Sequence, residues 1–188
     1  IAPEVRNGLQ IQLTGKIISK PYIEMTLQLM DLFGVRGYWK NNTITIPQGT
    51  YKPIKMAVES DWSAASYWYE MVALKPGSEI TLTGLHKNST QGDSAVAKIF
   101  ESLGVKTQHT AKGTILKQIG QKTTYLKYNF TNEPDLAQTV TVVCCCLDIP
   151  FHFSGLESLK IKETDRIDAL IVELAKLGYT LTSNQTDD

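Results

Sequence analysis

The stretch ETDRIDALIVELAKLGY (163–179) is one of three versions of the same segment, with STQGDSAVAKIFESLGV (89–105) and SKPYIEMTLQLMDLFGV (19–35). Each opens on a short polar cluster and runs through apolar residues at helical spacing. Each stops at a glycine, Gly178, Gly104 or Gly34, and the interval from one stop to the next is nearly constant. Glu163, Ser89 and Ser19 occupy equivalent positions, at the same offset ahead of their glycines. Self-similarity at a steady period means that one supersecondary unit is used repeatedly.

The repeat extends beyond the helix. LQIQLTGK (9–16), EITLTGL (79–85) and IPFHFSGL (149–156) precede it and align on Gly15, Gly84 and Gly155. Their alternation of polar and apolar residues predicts half-buried strands. Further upstream, SDWSAASYWYEMVAL (60–74) matches EPDLAQTVTVVCCCL (133–147), placing Asp61 and Asp135 at equivalent positions. Each aspartate precedes an apolar run and is read as a helix N-cap. After the glycine stops come β-rich pieces: YWKNNTITI (38–46), then TILKQI (114–119) and TTYLKYNF (123–130) as a pair. The unit is therefore helix, strand, helix and a strand pair, which makes an α/β (α+β) protein. The chain starts inside one copy, holds a complete one and ends inside another. With no initiator methionine, it reads as an excised piece or a processed product.

A chain of 188 residues can bury a substantial core in one domain or parts of two. Formal net charge is zero and no basic block occurs, which argues against a nucleic-acid groove or a polybasic membrane patch. No apolar run approaches membrane-spanning length, and IAPEVRNG (1–8) lacks the features of a signal peptide. The three cysteines, Cys144, Cys145 and Cys146, are consecutive within an apolar segment. Adjacent helical side chains diverge, so they cannot converge on one metal ion. They read as buried small hydrophobes, reduced as in a cytoplasmic protein. Of the histidines, His109 and His152 lack local triad partners, whereas His86 follows the Gly84 turn and could reach a site.

Chemistry is expected where a strand–glycine turn meets a helix start, because unpaired N–H groups and the helix dipole favour anions there. Ser19, Lys20 and Tyr22 occupy that place in the first copy, and Asn88, Ser89, Gln91 and Asp93 in the second. The third has Lys160, Lys162, Glu163, Asp165 and Arg166, a combination suited to a phosphorylated ligand. The same residues admit a plainer reading. Ser19, Ser89 and Thr164 would then be helix caps, Lys162 and Arg166 a solvated pair, and Glu163 a first-turn acid.

LKIKETDRIDALIVELAKLGY (159–179) closely resembles the signature of the 3-phosphoshikimate 1-carboxyvinyltransferase (EPSP synthase) family. ISKPYIEMTLQLMDLFGV (18–35) is similar to its S-K-P-Y-[IV] segment. AVESDWSAASYWYEMVAL (57–74) is similar to "EGDxSSASYFLAAA", with Ser60 in place of glycine. GLHKNSTQGD (84–93) resembles "GxxxxSxQGD", and EPDLAQT (133–139) resembles "xPDxAMT". The resemblance implies repeated βαβαββ units of the enolpyruvyl transferase fold, of the inside-out α/β barrel type and here incomplete. Residues 1–60 would be the last, partial unit of the upper domain. Residues 61–188 would be the first two units of the lower domain, the second truncated. It further implies transfer of the enolpyruvyl group of phosphoenolpyruvate to the 5-hydroxyl of shikimate 3-phosphate, without a metal or organic cofactor.

By the same resemblance, Ser19 would hydrogen-bond the shikimate phosphate, with Tyr22 beside that substrate. Asp135 would contact substrate hydroxyls and accept a proton. Lys162 would bind the shikimate moiety, Glu163 would move a proton at the methylene carbon, and Arg166 would clamp phosphoenolpyruvate. Which of Asp135 and Glu163 takes the first proton stays open. The spacing from Asp135 to Lys162 is expected to bring helix starts of adjacent repeats to one rim. Ser158 stands where many relatives have asparagine, and no role is carried over to it. The parent is expected to be a cytoplasmic monomer acting on small molecules, without nucleic-acid or membrane partners. The isolated chain is expected to be inactive, either self-associating through apolar faces or packing its own units together. Two other readings are an enolpyruvyl transferase with a UDP-sugar acceptor and a noncatalytic interaction module.

Overall fold

The helix stops foreseen at Gly34, Gly104 and Gly178 adopt φ of +92°, +93° and +91° in a computed structural model that describes residues 1–120 and 123–184. At the first and last of these, the following residue's N–H reaches back along the helix, from Val35 to Met30 and from Tyr179 to Leu174. That is the left-handed closure that glycine permits without a Cβ penalty. The strand-ending glycines agree as well, Gly15, Gly84 and Gly155 having φ of +76°, +79° and +73°. The three copies thus share their backbone turns. The chain divides into two compact units, Ile1–Val58 and Glu59–Asp188.

In the first unit the order is β1 (Leu9–Gln12), α1 (Lys20–Leu32), β2 (Tyr38–Lys40) and β3 (Thr43–Ile46). The sheet order is β1-β3-β2, antiparallel throughout, with Ile11 and Trp39 both opposite Ile44. Its core is small: Val35, Ile44 and Ile46 are buried, with Ile23, Leu27 and Met30 of α1 packed against them. Leu9, Ile11, Leu29 and Leu32 stay exposed.

The second unit holds α2 (Trp62–Leu74), β4 (Glu79–Leu82), α3 (Val96–Ser102), β5 (Val105–Thr110) and β6 (Gly113–Gln118). There follow β7 (Leu126–Asn129), α4 (Ala137–Cys146), β8 (Phe151–Ser154) and α5 (Arg166–Lys176). One antiparallel sheet has the order β4-β6-β5, and β7 pairs with β8 in parallel. Trp62, Tyr69, Phe100, Phe130, Leu136, Val140 and Leu159 form one continuous core in which α2 packs on α4. Each such fully buried side chain contributes about 1.5–3 kcal/mol relative to exposure.

The strand pair of the second copy differs from expectation. TTYLKYNF does not close that copy, because β6 already has β4 on one edge and β5 on the other. Its strand β7 instead opens the next repeat, a parallel β7–α4–β8 unit. The cysteines are likewise only partly as expected. Cys144 and Cys145 are buried, but Cys146 is exposed in the last turn of α4. Burial pushes the Cys144 thiol up to about 12, as suits a packing residue rather than a reactive thiol.

Two of the repeat-equivalent glycines, Gly84 and Gly155, are held by close approach as well as by φ, whereas a Cβ at Gly15 would meet nothing within 4 Å. A Cβ at Gly155 would strike Asn129 Oδ1 and both Thr131 N and Oγ1, and one at Gly84 would strike Ser60 Oγ. In each case the incoming chain donates to the strand end: Phe130 N to Ser154 O and Ser60 N to Gly84 O, both at 2.8 Å.

Candidate active site

Two helix starts, those of α4 and α5, build the charged cluster. Asp165 caps α5, accepting from Ile167 N at 3.0 Å and Asp168 N at 3.1 Å. Thr164 is therefore not the cap, and Arg166 becomes the first residue of the helix. Asp61 caps α2 as expected, accepting from Ser63 N at 2.8 Å. Asp135 does not cap α4. It sits inside a short 3-10 helix, Pro134–Leu136, which leads directly into α4, so the cap position falls on Leu136. Relieved of backbone N–H groups, the Asp135 carboxylate turns to cations.

Lys162 Nζ lies 3.1 Å from Asp135 Oδ1, and Arg166 Nη1 donates to the same oxygen at 2.9 Å. Arg166 Nε and Nη2 donate to Glu163 Oε1 at 3.1 and 2.7 Å. The Gln138 amide, one helical turn after Asp135, completes the arrangement. With the amide oriented as its hydrogen-bonding neighbours require, its nitrogen donates to the Asp135 carbonyl at 2.8 Å and its oxygen accepts from Arg166 Nη1 at 2.9 Å. Lys162 and Arg166 are thus not a solvated pair but the two partners of one carboxylate. The cluster joins the starts of α4 and α5 within a single repeat, not helix starts of adjacent repeats. The stretch from Asp135 to Lys162 spans one helix–strand passage and returns to the same rim.

A cavity of about 510 Å³ opens over this cluster, lined by Asp135, Gln138, Glu163 and Arg166 together with Ser63 and Tyr67 of α2 and Glu173 of α5. The Glu163 side chain is 68% exposed, that of Arg166 only 24%. A hydrogen bond from its own backbone N–H, followed by those from Arg166, holds the Glu163 carboxyl below the usual carboxylate range. The bond to Glu163 raises Arg166 further. Two cations, two carboxylates and an open mouth allow an entering anion to displace the exposed Glu163 from the guanidinium edge and leave both charges in place.

The remaining sequence candidates belong to other elements. Ser19 and Tyr22 are in the first unit, both half-buried. Ser19 has φ +53°, in the left-handed region, and makes no side-chain cap bond, so it is not an ordinary cap. In the second copy the polar residues close on Glu59. Its carboxylate accepts from Trp62 Nε1, His86 N and Ser89 Oγ, all at 2.8 Å, and from Gln91 Nε2 at 3.3 Å. Ser63 Oγ bonds the fully buried Asp93. Ser89 therefore does not cap α3, and His86 contributes its backbone N–H to this seal. Ser158 is buried, and its hydroxyl oxygen has no hydrogen-bond partner among the described residues. Among the described residues no group of three metal-ligating side chains occurs, and no helix is long and apolar enough to cross a membrane. Gln138 and Tyr67 were not foreseen. The i,i+3 spacing of Gln138 from Asp135 was the available signal.

Comparisons with known proteins agree with this architecture. The family model for EPSP synthase (3-phosphoshikimate 1-carboxyvinyltransferase) matches residues 1–187. A 3-phosphoshikimate 1-carboxyvinyltransferase of Bacteroides fragilis is 52% identical over 182 residues, covering 96% of this chain and 44% of that protein. A chloroplastic one of Petunia hybrida is 34% identical over 190 residues, covering 96% and 37% respectively. The solved structure of EPSP synthase from Acinetobacter baumannii aligns with a TM-score of 0.57 at 18% identity, covering 88% of this chain and 38% of that one. The chain thus spans less than half the length of these relatives, and it shares their fold.

Proposed function

The chain belongs to the EPSP synthase family, and on that premise we propose that the full-length protein transfers the enolpyruvyl group of phosphoenolpyruvate to the 5-hydroxyl of shikimate 3-phosphate, releasing phosphate. The observation that carries the reading is Asp135, withheld from capping and held between Lys162 and Arg166 at the mouth of a cavity. In the addition step, C3 of phosphoenolpyruvate gains a proton and the hydroxyl oxygen bonds C2. In the elimination step, C3 loses a proton and the C2–O bond to phosphate breaks.

Asp135 takes the hydroxyl proton, with Lys162 beside it to stabilise developing charge. Glu163 exchanges the proton at the methylene carbon. Arg166 clamps phosphoenolpyruvate through the edge that bonds Glu163. Ser19 hydrogen-bonds the shikimate phosphate and Tyr22 lies against the same substrate. Residues 1–60 supply the last unit of the upper domain and residues 61–188 the first two of the lower. The protein works as a cytoplasmic monomer in aromatic amino-acid biosynthesis, without nucleic-acid or membrane partners.

Phosphate release by the full-length protein, with the product's enol-ether protons followed by NMR, tests the reading. Turnover is expected with shikimate 3-phosphate and none with UDP-N-acetylglucosamine as acceptor; the reverse pattern overturns it. The 188-residue chain alone should release no phosphate above a Glu163→Gln control.

A further inference from the structure

The guanidinium of Arg166 is gripped unequally at its two ends. Its Nε/Nη2 edge, the one suited to bidentate capture of a carboxylate or phosphate, rests on Glu163, whose side chain is 68% exposed. Nη1 carries two hydrogens. One goes to Asp135 Oδ1 at 2.9 Å and the other to Gln138 Oε1 at 2.9 Å. Gln138 is itself fixed, because its amide nitrogen donates to the Asp135 backbone carbonyl at 2.8 Å. When an anion takes the Nε/Nη2 edge, Glu163 is released from the guanidinium and is free to face the bound methylene carbon, whereas the Nη1 end keeps a neutral acceptor anchored to helix α4.

We infer that Gln138 is a positioning residue for anion capture: it holds the Nη1 end of Arg166 so that the opposite edge faces the cavity. A carboxylate in its place would compete with the incoming anion for the same guanidinium. A neutral amide orients the group without neutralising it. A methionine, which the motif resembled by EPDLAQT has at this position, matches Gln138 in length but offers no comparable acceptor. Asp135 cannot do this work alone, since its carboxylate is shared with Lys162. The inference rests on the proposed enolpyruvyl transfer and adds a residue through which the phosphoenolpyruvate half of that site is preorganised.

The test uses Gln138→Met and Gln138→Ala in the full-length protein, each first shown by circular dichroism to melt cooperatively. Net bonds to charged groups fall at a level where the loss of one weakens binding about tenfold or more. KM for phosphoenolpyruvate is expected to rise about tenfold in both variants, while KM for shikimate 3-phosphate moves less than about threefold. Combined with Arg166→Lys, Gln138→Met is expected to add little further effect, as befits residues acting as one unit. Equal shifts in both KM values, or effects that simply multiply with those of Arg166→Lys, would overturn the inference. Wild-type protein inactive on these two substrates would instead refute the functional reading, so the two failures are distinct.

Discussion

Replacing Gly155 by alanine separates the cost of backbone conformation from that of close approach. Gly155 and Gly77 lie in the same unit at nearly the same φ, +73° and +72°. A Cβ at Gly77 meets nothing within 4 Å, whereas one at Gly155 runs into the turn at Asn129–Thr131. That turn is held by Asn129 Oδ1, which accepts from Thr131 N at 2.9 Å and from Thr131 Oγ1 at 2.6 Å. Left-handed backbone costs an alanine about 1–2 kcal/mol, partly offset by about 0.4–1 kcal/mol of lost unfolded-state entropy. Gly77→Ala should therefore destabilise by about 1 kcal/mol. Gly155→Ala adds the two turn bonds, at about 1 kcal/mol each, for a total of about 3 kcal/mol. Urea unfolding of the 188-residue chain, followed by tryptophan fluorescence with Trp62 buried in this unit, reads the difference. With a slope of about 2 kcal/mol per molar, the midpoint falls by about 1.5 M for Gly155→Ala and about 0.5 M for Gly77→Ala. Midpoints within about 0.2 M of each other would refute the close-approach argument.

Three further outcomes are expected. Glu59→Gln should destabilise the second unit at neutral pH. Burial raises the Glu59 carboxyl, but hydrogen bonds from His86 N–H, Trp62 and Ser89 outweigh it and leave it lowered. Its stabilisation is present above the unfolded-state value and is lost as pH falls through the folded one, so the variant's deficit should shrink in acid melts. Glu133→Gln should do the opposite. Burial, with Asp93 adding to it against the bond from Tyr128, raises the Glu133 carboxyl, so the wild type loses stability as pH rises through that range and the variant does not. Thermal melts at pH 4 and pH 7 check both signs, and a shared sign would contradict the reasoning. Glu163→Gln should leave unfolding free energy within about 0.5 kcal/mol, because the side chain is mostly exposed, while lowering the full-length protein's turnover about a hundredfold or more. Paired urea and phosphate-release measurements check that separation.

Elements punctuated by local chemistry were legible in the sequence. The glycines at 34, 104 and 178 ended helices because no other residue enters the left-handed region so cheaply. Asp61 capped α2 because its neighbours left N–H groups unpaired. Features settled by tertiary contact were not. β5, VKTQHT, lacks an apolar alternation: its place after a helix stop marks His109 as lying in a β region, but its bounds follow from the edge that β6 offers. Asp135 reads like Asp61 in the repeat, yet Pro134 starts a 3-10 helix that takes in Asp135 and passes the cap position to Leu136. The identity of the charged residues near α5 was visible in KETDR, but that they converge on Asp135 depended on which repeat contained both helices. For Gln138 the i,i+3 spacing from Asp135 is visible in the sequence, but its value lies in Arg166, a partner on another helix.

The most direct measurement is steady-state phosphate release from phosphoenolpyruvate and shikimate 3-phosphate by the full-length protein and its Lys162→Met variant. If the paired helix starts are the catalytic cradle, wild type turns over and the variant, melting at the same temperature, is slower by about a hundredfold or more. A variant as fast as wild type would contradict the account.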